Sequence, residues 1–160
     1  MIAGEAAGEA WRAMQALVLG GERNNRLHEI CQEVDLTPAA LKTLLVLSSG
    51  PRPMRDLVSA FRLDPSYLTS VVDALERRGV AQREPHPTDR RAKTVAVTEQ
   101  GQRVVERARE LMAVPPPSFE VLSPSEQNQL LSLMLRIVDA EPDIPDAMRP
   151  RASVLSTLPD

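Results

Sequence analysis

The chain has 160 residues, 42% of them apolar and 26% charged, which suits one domain with helical extensions and suffices to bury a core. Trp11, Tyr67, Phe61 and Phe119 are the only aromatics, so the core is predicted from Leu, Val, Met and Ala. A net charge of −3 excludes a uniformly basic coat but not a local basic patch, and Cys31, the only cysteine, excludes an intrachain disulfide.

With His28 and His86 the only histidines, no metal cage or cofactor is expected. No apolar run approaches the ~18 residues of a membrane span. The start, MIAGEAAGEAW, lacks the basic region and apolar core of a secretory signal. The expectation is a cytoplasmic protein with no membrane partner.

In chain order, a first helix is predicted from about residue 5 to 33, interrupted and kinked at Gly20-Gly21. Three later helix starts share one device, a capping side chain followed by proline: Thr37-Pro38, Asp64-Pro65 and Ser123-Pro124. The cap oxygen accepts an orphan backbone N–H, and proline at the first helical position forfeits no hydrogen bond. The helix from Pro38 carries Leu41, Leu44, Leu45 and Leu47, and Ser49-Gly50-Pro51-Arg52-Pro53 ends it. A short helix follows, with Met54, Leu57, Val58 and Phe61 at helical spacing.

Asp64 caps the next helix, where Leu68, Val71, Val72 and Leu75 form one buried stripe and Gly79 supplies the stop. Val80 to Glu84 and Thr94 to Thr98 have strand character, with Pro85-His86-Pro87-Thr88-Asp89 as loop between them. Thr98 caps a helix to about Met112, Val114-Pro115-Pro116-Pro117 breaks the chain, and a last helix runs from Pro124 to about Ala140. The capping box Ser123-Pro124-Ser125-Glu126 marks its start. The fold class is therefore mainly α: a winged helix-turn-helix with a two-stranded β wing and helical extensions. The divisions are 1–35 (N-terminal helix), 36–98 (winged lobe), 99–140 (C-terminal helices) and 141–160 (Pro-rich tail).

From Glu76 to Lys93 six cations (Arg77, Arg78, Arg83, Arg90, Arg91, Lys93) face three acids (Glu76, Glu84, Asp89), a basic window in an acidic chain. On the 64–78 helix, burial of the Leu68 stripe turns Ser66, Tyr67, Thr69, Ser70 and Asp73 outward. Small hydroxyls and one tyrosine can enter a major groove and reach base edges or phosphates. In the hairpin loop, Arg90 and Arg91 suit a narrow minor groove, whose negative potential favours an inserted arginine. Asp89 is placed to orient an arginine side chain and reduce the ordering cost of binding. Pro65, Ser66, Tyr67, Thr69, Ser70, Asp73, Arg77, Arg78, Asp89, Arg90, Arg91 and Lys93 are the candidate DNA-binding residues.

The run Pro87-Thr88-Asp89-Arg90-Arg91, then Val95-Ala96-Val97-Thr98 and Gly101, resembles the wing of the multiple-antibiotic-resistance regulator (MarR) family. Leu75-Glu76-Arg77-Arg78-Gly79-Val80 resembles that family's helix end before the wing, and Leu36-Thr37-Pro38 with Leu41 and Leu44 resembles the start of its second helix. The resemblance implies a homodimer whose terminal helices interlace, with the 64–78 helix in the major groove and Arg91, oriented by Asp89, in the minor groove. It implies double-stranded DNA with a near-palindromic operator as partner. It further implies a repressor released by a small aromatic or phenolic effector.

Two departures from the family pattern stand out. Ser70 occupies a position often basic or amide-bearing, and no Arg or Lys lies between Arg62 and Arg77. Affinity is expected to rest on the wing and on phosphates, with steep salt dependence.

By position, Trp11, Met14, Leu17, Val18, Leu44 and Leu47 are the ligand-pocket candidates, and a plain core accounts for them equally. Leu130, Leu133, Met134 and Ile137 are expected in a dimer seam. Two alternatives stay open: a winged-helix protein-interaction module, and a regulator that senses redox state through Cys31. No Gly-rich phosphate loop, nucleophile–His pairing or metal spacing occurs, so no catalytic residue or metal ligand is assigned and no enzyme activity is expected.

Overall fold

The computed structural model describes residues 3–20, 22–86, 93–142, 144–145 and 148–150. Helices α1 (Ala3–Leu19) and α2 (Glu22–Glu33) stand where one kinked helix was expected. α1 ends just before Gly20, and a glycine costs about 1 kcal/mol relative to alanine in a helix interior. There follow α3 (Pro38–Leu47), β1 (Arg52–Pro53), α4 (Met54–Phe61), α5 (Pro65–Arg77), β2 (Ala81–Pro85), β3 (Lys93–Val97), α6 (Glu99–Ala113), a 3-10 turn (Pro117–Val121) and α7 (Pro124–Ala140).

The capping chemistry appears where the sequence places it. Thr37 accepts the Ala40 N–H at 3.2 Å, Asp64 accepts those of Ser66 and Tyr67, and Ser123 with Glu126 forms the full capping box. At the other end of α5, Gly79 takes φ +70°. The Gly79 N–H then bonds Glu76 O at 2.8 Å, and Val80 N–H bonds Leu75 O at 3.1 Å. This left-handed termination favours glycine because a Cβ is costly there.

The sheet has the order β1-β3-β2, both pairings antiparallel, with Arg52 opposite Val95 and Ala81 opposite Val97. The two-stranded wing is thus joined by a two-residue strand that sequence periodicity does not register. Pro85, expected in the loop, is the last residue of β2 and pairs with Lys93. It is tolerated because β2 is an edge strand, where one face of the backbone needs no partner. β3 is central, with α3, α4 and α6 packed against it. Hence Thr94, Val95 and Ala96 are all buried and the expected alternation along this strand is blurred.

The core lies in the middle of the chain. Leu41, Leu44 and Leu47 of α3 meet Leu57, Leu68, Val72, Leu75, Val80, Val95, Val105 and Ala108, all at or near zero exposure. Truncating one such leucine to alanine costs about 2–5 kcal/mol, which makes this cluster the main support of the lobe. Thr43, buried among them, donates its hydroxyl to Ala39 O at 2.8 Å. By contrast, α7 has no buried residue, nor has α1 among its described side chains. Trp11, Leu17, Val18, Leu133, Met134 and Ile137 stand exposed on these two arms.

Candidate nucleic-acid interface

Helix α5 presents the face that its apolar stripe predicts. Leu68, Val71, Val72 and Leu75 are buried, while Pro65, Ser66, Tyr67, Thr69, Ser70 and Arg77 are exposed. Three hydroxyls are held in place by their own helix turn. Thr69 donates to Pro65 O at 2.8 Å, Ser70 donates to Ser66 O at 3.1 Å, and the Ser66 hydroxyl donates to the Asp64 carboxylate. Bonds from the Ser66 hydroxyl, then the Tyr67 and Ser66 N–H groups, hold the Asp64 carboxyl below its ordinary value.

Asp73 departs from the expectation of an outward, DNA-facing side chain. It is ion-paired with Arg83 of β2 at 2.7 Å and only half-exposed. Arg78 is likewise half-buried, with its guanidinium 2.6 Å from Asp35 at the end of α2. Arg83, part of the basic window in the sequence, has a structural place of its own. Its guanidinium also pairs with Glu76, and its backbone N–H donates to Glu76 Oε1 at 2.7 Å. No local signal marks this set, because Arg83 on β2 joins Asp73 and Glu76 on α5.

Lys93 is exposed at the first position of β3, opposite Pro85. Asp89, Arg90 and Arg91 lie outside the described residues, in the connection between β2 and β3. From Arg52 to Lys93 the sequence carries nine cations and six acids. Five of those acids have partners within the lobe: Asp56 with Arg55, Asp64 with Ser66, Asp73 and Glu76 with Arg83, and Glu84 with the Gln82 amide. The segment is thus net positive although the whole chain is acidic. An open groove lined by Met54, Val58, Pro65, Thr69, Arg83 and Lys93 runs between α4, α5 and the wing.

The ligand-pocket candidates are not gathered in one place. Leu44 and Leu47 are fully buried core residues of the lobe, whereas Trp11 is 56% and Leu17 62% exposed on α1. A different cleft, of about 280 Å³, opens between α2 and α6, lined by Arg26, Glu29, Ile30, Glu33, Arg107 and Leu111. Arg26 donates to Leu111 O there at 3.2 Å, and Arg107 is held by Glu33 at 3.1 Å. Of the seam candidates, Leu133, Met134 and Ile137 are exposed and Leu130 half-buried. Cys31 is buried, and burial pushes its thiol up, opposite to the depressed value of a peroxide-reacting thiolate. Among the described residues no group of His, Cys, Asp or Glu could hold a metal ion, and no helix is long and apolar enough to cross a membrane.

A family model described as MarR family matches residues 34–92, the stretch that builds the lobe and wing. Over those residues the chain is similar to the MarR family. The chain is 32% identical over 91 residues to the uncharacterized HTH-type transcriptional regulator YkoM of Bacillus subtilis, a match covering 56% of the chain and 59% of YkoM. Among solved structures it is similar to Rv1404 of Mycobacterium tuberculosis, with TM-score 0.66 and 26% identity over 88% of this chain and 95% of that one. It is also similar to the transcriptional repressor CouR bound to a 23-mer DNA duplex, with TM-score 0.59 and 29% identity over 82% of this chain and 91% of that one. The likeness to these structures makes the lobe a winged helix.

Proposed function

We propose that this chain is a homodimeric, sequence-specific DNA-binding transcription regulator, acting as a repressor that a small aromatic or phenolic effector releases. The observation that carries the proposal is α5 itself: a capped helix whose small polar face stands exposed beside a basic antiparallel hairpin. In this reading α5 lies in the major groove, its N-terminal dipole and the Ser66, Tyr67, Thr69 and Ser70 side chains toward bases and phosphates. Arg91, oriented by Asp89, enters the adjacent minor groove.

The dimer reading is supported by the exposed apolar residues of α1 and α7, a pattern that marks interaction surfaces. Two lobes related by a two-fold axis require half-sites about one helical turn apart. An effector then acts by binding one spacing of the lobes better than the other. The test is stoichiometry on a duplex from upstream of the protein's own gene. Light scattering of the complex is expected to give two protomers per duplex, and a monomer bound to DNA contradicts the proposal.

One observation favours a second reading, a winged-helix module for a protein partner: α5 offers no basic side chain before Arg77. Loss of DNA binding on Arg91→Ala, with folding intact, rules that reading out.

A further inference from the structure

Arg83 sits where the wing leaves the helix it must act beside. It makes three connections to α5. Its guanidinium reaches Asp73 at 2.7 Å and also pairs with Glu76, and its backbone N–H donates to Glu76 Oε1 at 2.7 Å. Glu76 thereby holds both the main chain and the side chain of one β2 residue. The Arg83 side chain is 22% exposed and that of Glu76 30%, so the pairs are partly shielded from water and from salt. Asp73 and Glu76 are one turn apart on α5, so the fork of Arg83 grips two successive turns of that helix. A planar guanidinium is the side chain suited to such a two-carboxylate grip, and lysine is not equivalent.

We propose that Arg83, with Asp73 and Glu76, is a positioning clamp that fixes the angle between α5 and the wing, so that helix and hairpin engage neighbouring grooves together. This rests on the DNA-binding reading above. β2 and β3 run on from Arg83 to the Pro85–Lys93 pair. A small rotation at Arg83 therefore becomes a larger displacement further along the hairpin. The clamp also occupies two carboxylates of the DNA-side helix that would otherwise repel phosphates. Asp73 and Arg83 accordingly act through geometry, without touching the nucleic acid.

Glu76→Met separates this role from simple electrostatics. The substitution removes a negative charge from the DNA-side helix, so charge alone predicts tighter binding to DNA. The clamp predicts weaker binding, by about tenfold, because the wing loses its fixed angle and must be ordered on binding. Arg83→Met is expected to weaken binding similarly while the slope of log affinity against log salt stays unchanged. Arg83→Lys is expected to restore only part of the loss.

The measurement is fluorescence anisotropy on the upstream duplex across a salt series, with thermal melts of each variant. If Arg83→Met fails to fold, Glu76→Met carries the test alone. Weaker binding by Glu76→Met at unchanged melting temperature supports the clamp. Tighter or unchanged binding by Glu76→Met overturns it. So does a salt slope reduced by about one in Arg83→Met, since that marks a direct phosphate contact. If the unmodified protein shows no preference for any duplex, the DNA-binding reading itself fails, and the clamp's role in groove engagement fails with it.

Discussion

Gly101 lies so close to Val80 that a Cβ built on it would stand 2.0 Å from the Val80 carbonyl oxygen and 2.6 Å from a methyl of Val97. Around this contact Thr98 ties three elements together. It accepts the Gly101 N–H at 3.1 Å as the cap of α6, donates its hydroxyl to Gly79 O at 2.6 Å, and donates its backbone N–H to Val80 O at 3.1 Å. The start of α6, the end of α5 and the wing strands therefore meet at one knot. Gly101→Ala forces backbone apart rather than a flexible side chain, so a loss of at least about 2 kcal/mol is expected. Urea unfolding of the variant beside the parent measures it, and an unchanged midpoint contradicts the packing described.

Asp64 makes the start of α5 sensitive to acid. Its carboxyl is held below its ordinary value of 3.8 by the Ser66 hydroxyl and by the Tyr67 and Ser66 N–H groups. A lowered folded-state value means that the unfolded chain binds the proton more readily. The cap's contribution is thus fully present above pH 3.8 and is lost as pH falls through the lower folded value. Asp64→Asn keeps a competent cap without the titration. The melting temperature of the parent is expected to fall relative to Asp64→Asn as pH drops below 3.8, and parallel curves through that window contradict the assignment.

The elements legible in the sequence were those whose causes are local. Thr37, Asp64 and Ser123 announce helix starts because a cap and the following proline act within one turn. The exposed face of α5 followed from the spacing of Leu68, Val71, Val72 and Leu75 alone. What stayed hidden depends on residues far apart in the chain. β1 is a strand only because Arg52 and Pro53 find Val95 and Thr94. The Arg78–Asp35 and Arg83–Asp73 pairs join separate elements, so nothing beside Arg78 or Asp73 in the sequence distinguished them from outward-facing charges. Leu44 and Leu47, whose spacing suits a pocket wall as well as a core, are completely buried in the lobe.

The apolar residues on α7 predict an assembly that one charge should break. Met134 and Ile137 are exposed on a helix with no buried residue, where an unpartnered apolar face is unfavourable in water. Met134→Glu places a charge in the proposed seam without touching the lobe core. Sedimentation velocity is expected to show a dimer for the parent and a monomer for the variant at the same concentration, each with a folded lobe. A dimeric variant contradicts the placement of the seam on α7.

The central claim is that α5 and the wing bind DNA together, and the most direct test is anisotropy on DNA from upstream of the protein's own gene. The parent and Arg91→Ala are compared with random DNA across a salt series. The account predicts saturable binding that exceeds binding to random DNA by about 10³-fold or more, falls steeply with salt, and weakens by about tenfold or more in Arg91→Ala. Equal affinity for specific and random DNA, or binding indifferent to Arg91→Ala, would contradict it.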